Sequence, residues 1–363
     1  MNIFKSILRA ARAVTRFHPS RQPTILDSLP KAELHLHLEG SIRPETAAEL
    51  AVRRHMEIPS DEIAARYKFA DFSGFIESFK WITSLLREPN DYAIVTSRLL
   101  EELIRQNVVY AEITISAGVM LLRDQKIEAN LAAICETAQN LSYESIRTVW
   151  ILDCIRQFGP EPAMRIARLA ARFQGSGVVA FGMGGDELAV PAAQFRPAFD
   201  FARSQGLRLV CHAGELGGPE SVRDAVDILG AERIGHGIAV MHDPLLAASL
   251  AARGIVLENC LTSNVATGAL AKQTGNAGAT IADHPLKKLL DAGSLVALST
   301  DDPAMFSTDL LTEYSRAASL GLSPHQLLKL AEQSFRAAFL PAADKQAYVE
   351  NFRSAAKSST LLL

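Results

Sequence analysis

The chain has 363 residues, of which 48% are hydrophobic, so it is long enough to bury a large core. Charged residues make up 21% and the formal net charge is −3, a balance that argues against a nucleic-acid or anionic-membrane partner and favours a small-molecule ligand. No stretch is long and apolar enough to span a bilayer, and the cysteines form no CxxC pair, so we expect a cytoplasmic protein with reduced, buried thiols.

The N-terminal segment is basic, with no acidic residue before Asp27. Arginines interrupt each of its apolar runs, so it lacks the continuous apolar core of a secretory signal. No low-complexity linker divides the rest of the chain. We therefore predict a basic extension over residues 1–26 and a single domain over residues 27–363.

From residue 32 onward, short apolar runs alternate with longer helical patterns. This alternation predicts parallel strands joined by crossover helices. Eight runs favour a closed (β/α)8 TIM barrel, of the α/β class, over an open sheet, and no Gly-rich dinucleotide-binding turn follows the first run. The predicted strands are Ala32–His37, Val108–Ser116, Thr148–Cys154, Val178–Gly182, Leu207–His212, Arg233–His236, Ile255–Asn259 and Leu295–Thr300.

A helical insertion is predicted after the first strand, at Phe69–Leu86, where aromatic and aliphatic residues recur at helical spacing. Two interpretations are open. The apolar stripe could face the core, or it could form a lid over the barrel mouth, where the loops after the strands build active sites.

Histidines and acids occupy the predicted strand ends, which gather at one face of a barrel. His35 and His37 end the first strand, and the two-residue period of a strand points both imidazoles to the same side. His212 ends the fifth strand. Two imidazoles, a third histidine and a carboxylate suit Zn²⁺ or a similar divalent ion.

The acids at these strand ends have several possible roles. Glu215 could be a metal ligand, a general acid, or a carboxylate attracted to a helix start. Asp301 and Asp302 are costly at the end of an apolar strand unless each has a partner. One could bind a metal while the other turns toward a ligand, or the pair could open a turn before Pro303.

His236 lies between two glycines, which leaves room for a group to approach closely, although a hydrogen-bonded core histidine is also possible. The other histidines are expected to lie in helices or loops without partners, and we assign them no function. They are His18, His55, His242, His284 and His325.

Six motifs, in order along nearly the whole chain after residue 29, resemble those of the adenosine deaminase family of metal-dependent amidohydrolases. They are Leu29–Ser41, Met183–Glu187, His212–Glu215, Arg233–Gly237, Thr262–Asn264 and Ser299–Pro303.

The resemblance implies one zinc ion per chain, with a water completing its ligand set. It also implies that Glu215 protonates the purine ring nitrogen next to the amino-bearing carbon, and that His236 and Asp301 orient the attacking water. Asp302 and the backbone N–H of Gly184 would hold the other ring nitrogens. The implied metal ligands are His35, His37, His212 and Asp301.

The implied reaction is hydrolytic deamination of a 6-aminopurine nucleoside, either adenosine or the benzoate-bearing 6-amino-6-deoxyfutalosine, to the 6-oxo compound and ammonia. One departure concerns Glu39, because many adenosine deaminases carry Asp there to hold the ribose 5′-hydroxyl. Adenine deaminases and aminofutalosine deaminases look similar to this chain in having Glu. Residues Phe79–Trp81 and Val108–Val119 look more like the aminofutalosine branch.

Three alternatives are open at this point. The chain could be an adenine deaminase that acts on the free base, a catalytically silent barrel that keeps a metal site, or another metal hydrolase that acts on amides or phosphoesters. The presence of Glu215 with His236 and Asp302 argues against the silent barrel. Hydrolases with two metals usually carry a bridging carboxylate or modified lysine, and Val178–Gly185 contains no lysine. The oligomeric state is left open.

Overall fold

The computed structural model describes residues 21–141 and 145–360, and side chains as far as residue 358. Eight parallel strands form one sheet in chain order, and each predicted apolar run is a strand. They are β1 (Lys31–His37), β2 (Val108–Ile115), β3 (Arg147–Ile155), β4 (Val178–Gly184), β5 (Arg208–Ala213), β6 (Arg233–His236), β7 (Val256–Asn259) and β8 (Leu295–Leu298).

The first and last strands meet just beyond β8. The N–H of Asp301 donates to the carbonyl of His35 at 2.9 Å, and the N–H of His37 donates to the carbonyl of Asp301 at 2.8 Å. These bonds close the sheet at its carboxyl end, so the predicted (β/α)8 TIM barrel is confirmed.

Helices surround the barrel. In the first half of the chain they are α1 (Pro44–Arg53), α2 (Ser60–Ala65), α3 (Phe72–Ser84), α4 (Pro89–Arg105), α5 (Ala117–Leu122), α6 (Ile127–Leu141) and α7 (Pro160–Arg172). In the second half they are α8 (Arg196–Ser204), α9 (Pro219–Asp227), α10 (Pro244–Ala252), α11 (Leu261–Ala266), α12 (Ala269–Thr274), α13 (Leu286–Asp291), α14 (Leu310–Ser319), α15 (Pro324–Ala337) and α16 (Ala342–Thr360).

Burial on both faces of the barrel explains the apolar runs. All seven residues of β1 are buried, because side chains alternate between the barrel interior and the helix layer. The helices show the complementary pattern. In α7, Ala163, Ile166, Ala167 and Ala170 are buried at spacings of three and four residues, and Pro160 suits its first turn.

The predicted insertion is α3, between β1 and β2. Asp71 caps it by accepting a hydrogen bond from the N–H of Gly74 at 2.8 Å. Ile82 is buried in the core, whereas Phe72 and Phe79 line the cavity described below. The helix therefore fulfils both interpretations of the aromatic stripe, with different residues.

The predicted basic extension lies mostly outside the described residues, which begin at residue 21. Arg21 forms an ion pair with Asp27, and Leu26 is buried against the barrel. The boundary between residues 26 and 27 stays a prediction. Among the described helices, none has the length and apolar character that a bilayer crossing requires. All four cysteines are buried and free.

Candidate active site

Side chains from the carboxyl ends of four strands meet at one face of the barrel. Asp301 Oδ1 lies 3.2 Å from His37 Nε2 and 3.4 Å from His35 Nε2. His37 Nε2 is 3.3 Å from His212 Nε2. Ligand-capable atoms of His35, His212, His236 and Asp301 all lie within 4.8 Å of one another. The structure thus brings together the histidines and the aspartate that the sequence analysis singled out.

In two of these histidines, the group that contacts Nδ1 on the side away from the cluster determines which ring nitrogen carries the proton. His212 Nδ1 lies 3.1 Å from the carbonyl of Met183, and a carbonyl only accepts, so Nδ1 carries the hydrogen. His35 Nδ1 likewise donates to Glu258 Oε2 at 2.8 Å. Both Nε2 lone pairs therefore face the cluster, and His35 Nε2 is buried without a hydrogen-bond partner among the described residues. Imidazole lone pairs beside a carboxylate fit a zinc ion.

A buried ion-pair network anchors Glu258 below the clustered histidines and Asp301. Arg233 Nε donates to Glu258 Oε1 at 2.5 Å, and the same guanidinium pairs with Glu112. Burial alone would raise the pKa of Glu258, but Arg233 and His35 hold it below its ordinary value. The charged carboxylate keeps the ring of His35 oriented. From the sequence, Arg233 was noted only as part of a motif, and no role was predicted for Glu258. The sequence feature that could have identified Glu258 is a lone acid within a buried strand.

Two site residues have unusual backbones, and two glycines make room for site side chains. His236 has φ of 63° and Asp301 has φ of 65°, a left-handed conformation that costs a non-glycine residue about 1 kcal/mol or more. A Cβ on Gly235 would lie 2.6 Å from His35 Cε1, and one on Gly40 would overlap Asp302. The close approach inferred at Gly235 is therefore that of the His35 ring.

His236 is oriented by a chain of hydrogen bonds that begins at a backbone amide. The N–H of Leu286 donates to His284 Nδ1 at 3.1 Å, and burial lowers the pKa of His284 to about 3, so its one hydrogen is on Nε2. His284 Nε2 donates to Asn264 Oδ1 at 3.2 Å, which turns the Asn264 amide nitrogen toward His236 Nδ1 at 3.0 Å. Neutral His236, whose pKa burial lowers to about 3, thus carries its hydrogen on Nε2.

This series of hydrogen bonds distinguishes His236 from His35 and His212. Its Nε2–H points to the carboxyl of Glu215 at 3.7 Å and that of Asp301 at 3.9 Å, so it presents a donor where the others present lone pairs. Distance alone does not make this distinction. The expectation that His284 has no partner was wrong, because its partners follow from the fold and not from its neighbours in sequence.

The loop that carries Glu215 is held by a second buried acid. The Glu187 carboxylate accepts hydrogen bonds from the four successive N–H groups of residues 214–217, and from the hydroxyl of Ser221. Sequence analysis quoted Glu187 within a motif but gave it no role. The sequence feature that could have identified Glu187 is an acid just after a strand end that is needed neither as a metal ligand nor as a substrate contact.

Glu215 has the protonation that a general acid needs. It is buried, and burial followed by the charges of Asp301 and Glu187 raises the pKa of Glu215 well above its ordinary value. The carboxyl therefore keeps its proton to higher pH than an exposed glutamate would.

A cavity of about 510 Å³ opens above these groups. Among the predicted site residues, it is lined by His37, His212, Glu215, His236, Asp301 and Asp302. Burial followed by the charge of Asp301 raises the pKa of Asp302 well above its ordinary value, and Asp302 Oδ1 has no hydrogen-bond partner among the described residues. Asp302 therefore brings a buried carboxyl with one unpaired oxygen to the cavity.

Glu39 and Gly184 lie next to the cavity but do not line it. The Glu39 carboxylate accepts from the N–H of Ser116 at 3.1 and 3.3 Å, and burial raises the pKa of Glu39 to about 7. The N–H of Gly184 lies close to the carboxyl of Asp153, a buried acid that does line the cavity and that sequence analysis missed. The substrate contacts predicted for Glu39 and Gly184 stay predictions.

A larger cavity of about 700 Å³ lies beside α1 and α4. Ion pairs such as Arg98–Glu49 line it, and it contains none of the clustered histidines and acids described above. The smaller cavity is therefore the candidate active site.

Comparisons with known proteins match nearly the whole barrel. The family model described as adenosine deaminase matches residues 30–355. The chain is 42% identical over 330 residues to an aminodeoxyfutalosine deaminase of Streptomyces avermitilis, covering 89% of this chain and 90% of that protein.

Two solved structures superpose closely on the chain. The adenine deaminase of Arthrobacter aurescens has a TM-score of 0.84 at 28% identity and covers 91% of this chain and 100% of its own. An amidohydrolase of Burkholderia ambifaria, solved with bound zinc, has a TM-score of 0.84 at 26% identity and covers 93% of this chain and 94% of its own.

Proposed function

Because this chain belongs to the adenosine deaminase family and is a hydrolytic deaminase, we propose that its substrate is 6-amino-6-deoxyfutalosine, a 6-aminopurine nucleoside. The observation that carries the substrate is the 42% identity to an aminodeoxyfutalosine deaminase across 89% of the chain. In this reaction a water oxygen replaces the 6-amino nitrogen, and ammonia leaves with the 6-oxo product.

We propose a single zinc ion, held by His35, His37, His212 and Asp301. The imidazole lone pairs and the zinc-bound structural neighbour support this choice. When bound, such an ion makes water an effective nucleophile near neutral pH.

The surrounding side chains handle protons and charge. Protonated Glu215 gives its proton to the ring nitrogen beside the attacked carbon and so offsets the negative charge that addition places on the ring, which is worth about 10²–10⁴ in rate. The Nε2–H of His236 donates to the incoming oxygen and stabilises charge there. Ring nitrogens accept hydrogen bonds, so a protonated Asp302 carboxyl and the N–H of Gly184 are suitable partners.

Free adenine is the second candidate substrate, favoured by the likeness to an adenine deaminase structure, whereas Glu39 in place of Asp fits both candidates. The four buried, free cysteines support a reducing compartment such as the cytoplasm.

A substrate panel tests the proposal. We expect kcat/KM to be highest for 6-amino-6-deoxyfutalosine, followed by adenosine and then adenine, measured by the ultraviolet change on loss of the 6-amino group. A preference for adenine would assign the second candidate, and a strong preference for adenosine would remove the benzoate-bearing substrate.

Two further measurements test the machinery. Metal analysis of protein purified without added metal is expected to give one zinc per chain, and a ratio near two would contradict a single site. Glu215→Gln keeps the shape of the side chain but cannot give up a proton to the ring, so we expect turnover to be lost while metal and fold are kept. Activity within tenfold of wild type, about 1.4 kcal/mol of barrier, would mean that Glu215 is not the acid.

A further inference from the structure

The two ends of the candidate active-site cavity differ in chemistry. The inner end carries the buried acids and histidines, including Asp153, Glu215 and Asp302. The outer end carries rings from α3 together with two cations, Lys80 and Arg123. Apart from the histidines, these two cations are the positively charged side chains among the described lining residues. A ligand that is neutral at one end and anionic at the other would therefore bind in one orientation.

Arg123 is held in place at this outer end. Its Nη2 donates to the carbonyl of Lys80 at 2.8 Å and to the hydroxyl of Thr83 at 3.2 Å, both in the last turns of α3. These two contacts hold Nη2 in place, and neither acceptor is charged. The N–H groups on Nε and Nη1 have no hydrogen-bond partner among the described residues, so they remain for a ligand. Arginine offers five donors in a rigid fork, so an anchored guanidinium is prepared for a carboxylate.

The charge of Arg123 is not neutralised by an acid among the described residues, because no carboxylate there lies within 4.0 Å of it. Lys80, in contrast, pairs with Glu77 at 2.7 Å. Burial and the positive charge of nearby Arg87 both lower the pKa of Arg123. A bound anion would relieve that repulsion.

The wall between Arg123 and the catalytic groups is aromatic. Phe75 packs against Phe72 and Phe79, with ring centroids 6.0 and 5.9 Å apart, and all three rings line the cavity. Aromatic groups stack on or meet such rings edge-on at these separations. The wall therefore suits a substrate group that is apolar and ring-shaped between the inner end of the cavity and the guanidinium.

We propose that Arg123 binds a carboxylate carried on an aromatic ring at the far end of the substrate, with that ring packed against Phe72, Phe75 and Phe79. This subsite rests on the proposed function and gives it a residue that selects the benzoate-bearing nucleoside over adenosine. A nucleotide phosphate shares the negative charge, but it would leave the aromatic wall without a partner.

The test pairs a change in the enzyme with a change in the substrate. The substrates are 6-amino-6-deoxyfutalosine and its methyl ester, which has the same ring without the charge. In wild type we expect the free acid to be preferred in kcat/KM by at least tenfold, about 1.4 kcal/mol. In Arg123→Gln that preference is expected to disappear, and Arg123→Lys, which keeps the charge but not the fork, is expected to restore part of it.

A matched control is Arg87→Gln, which removes a nearby exposed charge that does not line the cavity. We expect it to keep the acid-to-ester ratio within twofold of wild type, which separates direct contact from the general field. Binding is measured independently of turnover by calorimetry in the Glu215→Gln background, where the acid should lose at least tenfold in affinity when Arg123→Gln is added and the ester should lose less.

The outcomes distinguish the subsite from the proposed function. If wild type turns over 6-amino-6-deoxyfutalosine but acid and ester are equal, or if Arg123→Gln keeps the preference, the subsite is wrong and the proposed function stands. If wild type does not act on that nucleoside, both are wrong. If AMP is preferred over adenosine and Arg123→Gln removes this preference, the anion is a phosphate and the aromatic carboxylate is wrong.

Discussion

Replacing Glu187 with glutamine tests how strongly one carboxylate holds the loop that carries Glu215, the proposed general acid. Glu187 Oε2 accepts from the N–H groups of Glu215, Leu216 and Gly217 at 3.1, 2.8 and 2.7 Å, and Oε1 accepts from Gly214 and Ser221. Glutamine has one acceptor oxygen. If it faces the three N–H groups, its own NH₂ faces the N–H of Gly214, which then has no acceptor.

The cost follows from this loss. A buried N–H without a partner costs about 1–3 kcal/mol, and three hydrogen bonds that change from charged to neutral lose about 1 kcal/mol each. We therefore expect Glu187→Gln to lower the free energy of unfolding by about 4–6 kcal/mol, less whatever the loop regains by moving. Movement displaces Glu215, so kcat should fall as well.

Urea unfolding and steady-state kinetics measure both effects. The charge of Glu187 also raises the pKa of Glu215, and the acid must be protonated to act. Removing that charge lowers the pKa of Glu215, so the fall of kcat at alkaline pH should begin at lower pH than in wild type. Glu220→Gln, an exposed acid on the same segment, is the control and should change stability by less than about 0.5 kcal/mol. If Glu187→Gln behaves like this control, the carboxylate does not hold the loop.

Four further variants test the other assignments. Asp301→Ala is expected to lose the metal, whereas Asp302→Ala should keep the metal and raise KM, because adjacent residues at a strand end point in different directions. Equal metal loss in both variants would contradict this assignment of separate roles. Asn264→Asp replaces the hydrogen-bond donor behind His236 with an acceptor. We therefore expect kcat to fall about 100-fold with metal retained, and ¹⁵N NMR should show that the ring hydrogen of His236 has moved to Nδ1. An unchanged tautomer would disprove the orienting role of these hydrogen bonds. Burial lowers the pKa of Lys31 to about 7 from 10.5, so the folded state releases a proton that the unfolded state keeps between these values. The unfolding free energy of wild type should therefore rise from pH 6 to pH 9 relative to Lys31→Met, and a constant difference in urea unfolding would refute this.

The barrel and the convergence of polar residues could be predicted because they depend on local patterns. Continuous apolar runs identify strands buried on both faces, and a parallel barrel brings their carboxyl ends together whatever the loop lengths. His35 and His37 were visible because the strand period puts both rings on one side. The structure brings these residues to one site.

The residues that orient the site could not be predicted in the same way. His284 reaches Asn264 across 20 residues of chain, and Glu187 reaches residues 214–217 across about 30. No sequence period or fixed spacing indicates either contact, because each depends on how a loop folds back over the face of the barrel. The aromatic spacing in α3 predicted a helix but left open which rings face the cavity, since that depends on the tilt of the helix over the barrel mouth.

The group behind each ring decides what a histidine of this site can do. His35 has a carboxylate behind it and His212 a carbonyl; both groups accept, so each ring turns a lone pair forward, as a metal ligand must. His236 has an amide NH₂ behind it, which donates, so its ring turns an N–H forward into the cluster. Histidines of one cluster thus present opposite groups to it, which fits the different roles proposed for them. The difference lies in Glu258, the carbonyl of Met183, and Asn264, none of which would touch the substrate.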